Sequence, residues 1–416
     1  MNNYIKKASI AAMAAVLPLS AAAEVSISGW INEGVTYFDD GNESGIYQTS
    51  ENGHTLGSRI TLSGSTDVGS GLTVGMEVIL EPQSTSELLG SGSDVFGRGA
   101  ASGTFGSESQ GGPGTPLEQL GFGGQGHDIT VLGNSLNISG GFGKVTVGLQ
   151  SMPTDNIAVL EDPSLTLWSA ISPIFVGNGA TIQGLGAGAA AVNWGSFLQC
   201  GSGIGNIGID CNGIYRKGVR YDLPAFGPVT VAVGVANDDV YDIAAKYKGE
   251  FSGIKTQLAV GYAKINTILG TGFAAYGNKG VDNFQMQLGL MDPATGIFGS
   301  IAYQIDDMDG AAAGASDDTD AFWTKVGIKK AFNSLGDTAI SMNYGLYMDQ
   351  FGTVDAGLTG SEVERIGIEV NQYFGSSFIL YGVWEMLDLE TDGPNSAAYN
   401  SADELNTFRL GGTYFF

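Results

Sequence analysis

Acid–base and nucleophilic chemistry in this chain would have to use its two histidines, His54 and His127. Histidine is the side chain that most readily exchanges a proton near neutral pH, so a serine hydrolase would need one of them as its base. Both fall in segments that we predict to be long exterior loops, and the sequence contains no Gly-x-Ser-x-Gly elbow. We therefore expect that the protein is not an enzyme.

Thiol chemistry is limited to Cys200 and Cys211, which lie eleven positions apart in a glycine-rich segment. In an exported protein this spacing favours a local disulfide that closes a short loop. A pair of free thiols is the alternative. A metal site is less favoured, because neither histidine is near the cysteines in the sequence.

Two other motifs suggest ligands only weakly. The glycine-rich stretch 121–126 fits the dinucleotide-binding pattern by its letters, but it opens no helix. The acidic run 306–309 could hold Ca²⁺ loosely, although it lacks a complete set of ligands at the right spacing. We therefore expect no cofactor, apart from loosely bound Ca²⁺.

The N-terminus indicates export. Residues 1–23 combine a basic start, an apolar run from Ala8 to Leu19 and a small-residue end at 21–23, which predicts a signal peptide. A membrane anchor is the alternative, but the run is short for a spanning helix. The mature domain would be 24–416. A formal net charge of −25 makes binding to a nucleic-acid backbone unfavourable.

The rest of the chain alternates between two kinds of side chain. Along 229–236, for example, four valines alternate with threonine, alanine and glycine. This period of two predicts strands with one apolar face, and the opposite face carries small or amide side chains rather than the many charges of a soluble barrel. Counting a first strand, seven hairpins and a last strand, we predict an all-β, transmembrane antiparallel β-barrel of 16 strands. A soluble all-β array is the alternative.

The hairpins are joined by short turns at one end and by long segments at the other. The long segments, which we expect to face the exterior, are 39–57, 82–127, 151–213, 265–280, 307–320, 350–362 and 389–404. The first and last strands must pair, because an open sheet edge cannot exist in lipid. In the last strand the apolar phase includes Phe408, Leu410, Tyr414 and Phe416, whereas Arg409 points inward. Glu33 is an anomaly, since it falls on the apolar phase of the first strand.

Several segments resemble the Gram-negative general diffusion porins, particularly the branch found outside the enteric bacteria. The matching pieces are 28–41, the hairpin 58–81, Gly-Gly-Phe-Gly-Lys-Val-Thr-Val-Gly at 140–148, 219–224 followed by Phe226-Gly227, and the aromatic last strand. The resemblance implies an outer-membrane homotrimer whose third long loop folds inward to narrow the pore. It also implies that Phe408, Leu410, Tyr414 and Phe416 form the signal read by the barrel assembly machinery.

The third long loop would be 151–213, which carries Asp155, Glu161 and Asp162 near its start. In the resembled family, acids on this loop oppose a ladder of basic residues on the wall, which produces a field across the constriction. The candidates for that ladder are basic residues on the polar phase: Arg59, Arg220, Arg409, Lys255 and Arg365, with Lys246 and Lys325 as others. The family often has Gly-Arg-Gln where this chain has Gly148-Leu149-Gln150, so the cationic side is expected to be thinner.

The resemblance implies passive diffusion of small hydrophilic solutes and ions. Acidic residues crowd the exterior segments and would concentrate cations at the mouth: Asp39, Asp40, Asp306, Asp307, Asp309, Asp317, Asp318 and Asp320. We therefore expect a preference for cations, although the same acids could solubilise the loops or bridge lipopolysaccharide through divalent ions. A substrate-specific porin for a sugar or another small solute is the alternative, since Trp30, Trp323 and Tyr347 lie on the polar phase. A barrel-anchored enzyme or adhesin is a more distant one.

Overall fold

The computed structural model describes the greater part of the chain from Glu24 to Phe416. The described residues are 24–42, 44–49, 51–52, 56–84, 127–169, 182–189, 192, 194–198, 215–237, 239–266, 281–307, 316, 318–350, 354–355 and 357–416. The predicted signal peptide, 1–23, and both cysteines lie outside them. Among the described residues, no helix is long and apolar enough to cross a membrane.

The described residues form one antiparallel sheet that closes on itself. Its strands are β1 Glu24–Asp39, β2 Ser44–Thr49, β5 Arg59–Gly69, β6 Leu72–Ser84, β7 His127–Gly140, β8 Gly143–Ser151, β9 Tyr215–Asp222, β10 Val229–Ala236, β11 Val240–Phe251, β12 Ile254–Ile265, β13 Val281–Met291, β14 Ile297–Asp307, β15 Asp318–Asn333, β16 Gly336–Met348, β17 Gly360–Phe374, β18 Phe378–Asp392 and β19 Leu405–Phe415. Strand β1 pairs with β19, which closes the barrel.

One position in the wall is shared by two strands. Strand β2 pairs with 34–39 of β1, and β5 pairs with 24–30 of the same strand. The 17 strands of the sheet therefore occupy 16 positions, so the predicted count is confirmed. Between β2 and β5, the short strands β3 (Glu51–Asn52) and β4 (Leu56–Gly57) pair with each other.

The break between β2 and β5 leaves part of β1 without a ladder partner on that side. There the hydroxyl of Ser58 accepts a hydrogen bond from the backbone N–H of Asn32 at 3.0 Å and donates one to its carbonyl at 3.3 Å. A side chain thus satisfies backbone groups that would otherwise be unpaired. Since β2 is a strand, the prediction that all of 39–57 is a loop was wrong.

The two faces of the wall differ as the alternation requires. On β13, the side chains of Phe284 and Leu290 are exposed on the outer face, where lipid would cover them. The intervening Asn283, Gln285 and Gln287 point inward and are at most 1% exposed. Inward side chains this inaccessible must be covered by something inside the barrel.

Tight turns join the strands at one end of the barrel. Between β5 and β6, Gly69 and Gly71 have φ values of 88° and 74°, which glycine adopts without steric cost. The carboxylate of Asp67 accepts the N–H of Gly69 at 2.7 Å and closes the turn. We call this the short-turn end and the opposite end the long-loop end.

An apolar cluster lies inside the wall towards the long-loop end. It contains Phe197 and Leu198 from a helical turn at Gly195–Leu198, Trp194 just before that turn, and Tyr399 from a second turn at Ser396–Tyr399. These side chains pack on inward-facing wall residues: Phe38, Val363, Leu387, Leu389 and Leu405. Part of the lumen is therefore a packed core rather than an open passage.

Candidate pore constriction

The stretch 152–169 follows β8 and lies against the inner face of the wall. Where it crosses β10, β12 and β13, the wall has glycines at Gly234, Gly261 and Gly289. A Cβ at these positions would lie 2.7 Å from Met152, 2.9 Å from Thr154 and 2.3 Å from the carbonyl oxygen of Glu161, respectively. We call these three residues the glycine track. The missing side chains leave the space that the loop occupies, with its side chains at Gly234 and Gly261 and with its backbone at Gly289.

Polar side chains of the wall hold the loop backbone along this track. Both the N–H and the hydroxyl of Thr154 donate to the carboxylate of Asp242, each at 2.9 Å. The side-chain oxygens of Gln285 and Gln287 accept loop N–H groups at 3.3 and 2.7 Å. Gln285 and Gln287 of β13 are therefore docking groups for the loop, which explains their burial.

Two of the three loop carboxylates, Glu161 and Asp162, pair with lysines of the wall. Asp162 Oδ2 lies 2.9 Å from Lys325 Nζ, and these two side chains are 3% and 1% exposed. Glu161 lies 3.3 Å from Lys246 Nζ. Asp155 accepts a hydrogen bond from the amide of Asn156 at 2.5 Å and is 6% exposed.

Asp162 is also the centre of a small hydrogen-bond network within the loop. It accepts the N–H of Ser164 at 2.9 Å, the hydroxyl of Ser164 at 2.5 Å and the hydroxyl of Thr166 at 3.1 Å. Burial alone would raise the pKa of Asp162, but Lys325 and the Ser164 donors outweigh it and hold that pKa below its ordinary value. The carboxylate is therefore charged and fully paired.

The described stretch ends at a second anchor around Ser169. Its carbonyl accepts a hydrogen bond from the guanidinium of Arg409, and its hydroxyl accepts one from Asn371 at 2.8 Å. The neighbouring Trp168 packs edge-on against Trp30, with ring centroids 5.2 Å apart, and against Phe415 at 5.0 Å. This end of the loop is thus fixed to β17, β19 and β1.

Arg365 lies away from open water. Its guanidinium is paired with the carboxylate of Glu385, and their side chains are 2% and 4% exposed. It also lies within 3.5 Å of the Tyr347 hydroxyl. Because Tyr347 belongs to the apolar cluster, the ion pair is beneath that cluster.

Three predicted pore residues keep contact with water. Arg59 is half-buried, with its guanidinium carbon 5.0 Å from the centre of a Trp30 ring. Arg220 is 25% exposed, binds Asp222 at 2.7 Å and donates to the carbonyl of Ser151 at 3.1 Å. Lys255 is exposed near the short-turn end of β12.

The predicted site residues thus divide into two groups. Those that reach water are Arg59, Arg220 and Lys255, whereas those sequestered behind or beneath the loop are Asp155, Glu161, Asp162, Arg365 and Arg409. The expected arrangement had loop acids facing wall bases across the lumen. In the structure Glu161 and Asp162 instead pair with lysines directly beneath them, because the loop lies on the strands that carry those lysines. The proposed Cys200–Cys211 bond lies outside the described residues.

Sequence reasoning did not identify two residues that hold the loop. The ammonium of Lys329 donates to the carbonyl of Ser164 at 2.8 Å. The hydroxyl of Tyr373 donates to the carbonyls of Ser164 and Leu165 at 3.2 and 2.9 Å. The alternation along their strands predicts that both side chains point inward. Nothing in the sequence, however, indicates which part of the loop they contact.

The outer face carries the predicted terminal residues. Phe408, Leu410, Tyr414 and Phe416 are between 47% and 62% exposed. Glu33 is also exposed on this face, opposite Gly412 in the ladder. The apolar band is therefore interrupted by one carboxylate next to the β1–β19 seam.

Comparison with known proteins gives a family and a fold. A family model described as Gram-negative porin matches residues 8–415. An anion-selective porin from Comamonas acidovorans has 17% identity and a TM-score of 0.56, over 95% of this chain and 100% of that one. The trimer form of OmpT, an outer membrane protein of Vibrio cholerae, has 12% identity and a TM-score of 0.53 over 95% and 100%. The outer membrane channel DcaP of Acinetobacter baumannii has 10% identity and a TM-score of 0.52 over 96% and 99%. No curated protein sequence matches.

Proposed function

Because the chain belongs to the Gram-negative porin family and forms an outer-membrane β-barrel channel, we propose that small hydrophilic solutes and ions cross it by passive diffusion. The observation that carries this proposal is the burial of the lumen's candidate sugar-binding aromatics. Trp323 and Tyr347 are 1% and 0% exposed, so neither offers a ring face to a passing solute. The aromatic path that a sugar-specific channel would need is therefore not formed by these two side chains.

Single-channel recording tests this proposal. The purified protein is inserted into planar bilayers, and the current is measured with increasing concentrations of sugars and other small solutes. A general diffusion channel gives a conductance that rises with salt and no saturable block. Saturable block by one solute class would contradict the proposal.

A substrate-specific porin is the second candidate, and one observation favours it. Trp30 is half-buried, and Arg59 stacks on its ring at 5.0 Å, so this pair could contact a solute. If it forms a binding site, saturable block should appear in the wild type and disappear in Trp30→Ala.

We also propose a moderate preference for cations. Asp39, Asp307 and Asp318 are exposed at the long-loop ends of their strands, and Asp307 faces Asp318 across the β14–β15 ladder. Such a cluster attracts cations to the mouth, whereas the loop carboxylates Glu161 and Asp162 are already paired. The porin from Comamonas acidovorans is anion-selective, so this fold does not fix the sign. Reversal potentials across a salt gradient measure it, and a clear anion preference would contradict us.

The oligomeric state that we propose is a homotrimer. Glu33 supports it, because a carboxylate on the lipid-facing surface is unfavourable unless protein covers it. One similar structure is described as a trimer form. Bifunctional cross-linking in intact outer membranes should yield a band of three chains, and a species that never exceeds one chain would contradict the proposal.

Residues on the outer surface and at the long-loop end lead us to propose two binding partners. We propose that the outward aromatics of β19, ending at Phe416, are the signal for the barrel assembly machinery. We also propose that exposed acids at the long-loop end contact lipopolysaccharide through divalent ions. Extraction with and without a chelator, followed by analysis of the lipid that copurifies, tests the second proposal, since chelation should release it.

A further inference from the structure

The surface that the loop presents to the lumen is apolar. Within the fully described stretch 152–169, only Leu160 and Leu165 are exposed, by 38% and 51%. Both are large hydrophobic side chains, and neither belongs to the apolar cluster at the long-loop end. We call this pair the leucine facet.

The polar groups of this stretch are on the opposite side of the loop. Glu161 and Asp162 lie between the two leucines in sequence, and they reach back to Lys246 and Lys325 on the wall. Two tight turns produce this arrangement, because the N–H of Asp162 bonds to the carbonyl of Leu160 at 2.9 Å and the N–H of Leu165 bonds to that of Asp162 at 3.2 Å. Anchoring the carboxylates to the wall therefore leaves the leucines on the lumen side.

The backbone at Leu165 is strained, and contacts from the wall hold it in that conformation. Its φ is 62°, a left-handed value that is an outlier for a bulky residue. The conformation is held from outside, since Tyr373 donates to the carbonyls of both Ser164 and Leu165, and Lys329 donates to that of Ser164. Strain that surrounding contacts enforce is concentrated at functional positions.

The contacts of the loop show which arc of the wall it leaves uncovered. The loop contacts wall residues from β10 through β19 and reaches Trp30 on β1. The arc of the wall not occupied by this stretch is therefore β5–β9. Its inward-facing side chains include Arg59, Glu77 and Arg220, all of which reach water. Among the described residues, the leucine facet and these polar side chains therefore occupy different arcs of the lining that reaches water.

We propose that Leu160 and Leu165 determine specificity, favouring small solutes with an apolar portion over wholly polar solutes of the same size. The inference rests on the proposed diffusion function and refines it. A polar group loses hydration as it passes an apolar surface, whereas an apolar group loses only unfavourable contact with water. Small amphiphilic solutes can place their apolar end against the leucine facet and their polar end against the polar side chains of the wall.

Valine and threonine are matched probes for this test. Both are zwitterions of nearly the same size and shape, and they differ in a methyl group against a hydroxyl. Their permeation is compared by swelling of liposomes that contain the purified protein. Partial contact of one methyl group with the leucine facet predicts that valine enters about twofold faster than threonine.

The test variant is Leu160→Asn/Leu165→Asn. Asparagine is close to leucine in size and tolerates the left-handed backbone of position 165, so the loop should keep its path. We expect the valine-to-threonine ratio to fall to about one. The single variant Leu165→Asn gives the same comparison with less disturbance, and its ratio should lie between the two values.

The control is Leu335→Asn, since Leu335 is 59% exposed on a short turn away from the lumen, and it should keep the wild-type ratio. Equal rates in the wild type, or an unchanged ratio in both asparagine variants, would overturn the role of the leucine facet. Failure of the wild type to pass either amino acid would instead overturn the diffusion function.

Discussion

Replacing Lys325 by methionine should release the loop from the wall. Lys325 and Asp162 form the more buried of the two ion pairs that join the described part of the loop to the barrel, at 2.9 Å with both side chains at most 3% exposed. Methionine approximates the aliphatic stem of lysine without its charge. The substitution therefore leaves the Asp162 carboxylate in place but without its cation.

The expected magnitude follows from that burial. Breaking a buried pair by removing one partner typically costs about 3–5 kcal/mol, because the remaining charge is uncompensated. Asp162 keeps its hydrogen bonds to Ser164 and Thr166, so we take the lower end, about 3 kcal/mol. If this cost falls on loop docking, the ratio of released to docked loop rises on the order of a hundredfold.

Single-channel recording detects the release. A docked loop gives a steady conductance, whereas a loop that leaves the wall should give current fluctuations and a changed mean. The double variant Asp162→Asn/Lys325→Met should restore steady current, because it removes both charges together. The control is Lys264→Met, whose partner Asp282 is at 2.6 Å but whose side chains are 46% and 30% exposed. An exposed pair contributes only about 0–1 kcal/mol, so its current should be unchanged.

The reasoning would be refuted by a Lys325→Met channel with wild-type conductance and noise. It would also be refuted if Lys264→Met disturbed the current equally, because burial would then not be the deciding factor. A double variant as noisy as Lys325→Met would show that packing of the lysine stem, rather than charge, holds the loop.

Three further predictions concern the loop and the seam. The lowered pKa of Asp162 implies that its anchoring is fully present above its unfolded pKa of about 4 and is lost as the pH falls through the lower pKa of the docked state. Conductance should therefore be steady from about pH 5 to 8, and noise appearing already at pH 6 would contradict this. Gly289→Val should displace the loop, because even a Cβ there would lie 2.3 Å from the Glu161 carbonyl oxygen. The control Gly382→Val should have little effect, since no atom lies within 4 Å of a Cβ at that position. Equal changes in conductance for the two variants would contradict the role of the glycine track. Deleting Phe416 should reduce the yield of assembled barrels in outer membranes more than the conductance of those that form, and normal yield would argue against it.

The barrel was predictable from sequence because its signal is local. Each strand must present lipid-facing and inward-facing residues in alternation, so Phe284 beside Gln285 is informative without knowledge of any partner. The closure of β1 on β19 followed from the need to leave no open edge. Strand β2 was missed because Gly45, Gln48 and Thr49 weaken its alternation, and because the break before β5 is made by a side chain, Ser58, rather than by a turn signal.

The constriction was only partly predictable, because its contacts are remote in sequence. The acids Glu161 and Asp162 could be assigned to the loop, yet Asp162 pairs with a lysine 163 positions later. The alternation correctly placed Arg365 on the inward face, but an inward phase does not reveal what covers a residue. The packed cluster next to Arg365 brings residues of separate loops, such as Trp194 and Tyr399, onto the wall, and no periodic pattern connects them.

The distance in sequence between the loop and its docking groups also constrains the order of folding. Residues 152–169 precede every strand of the glycine track, and their last anchor, Arg409, belongs to the final strand. Contacts across such separations carry a loop-closure cost that slows their formation. We therefore expect the loop to be fully seated only once Arg409 of the final strand is in place, so that completion of the narrow passage depends on the strand that also closes the barrel.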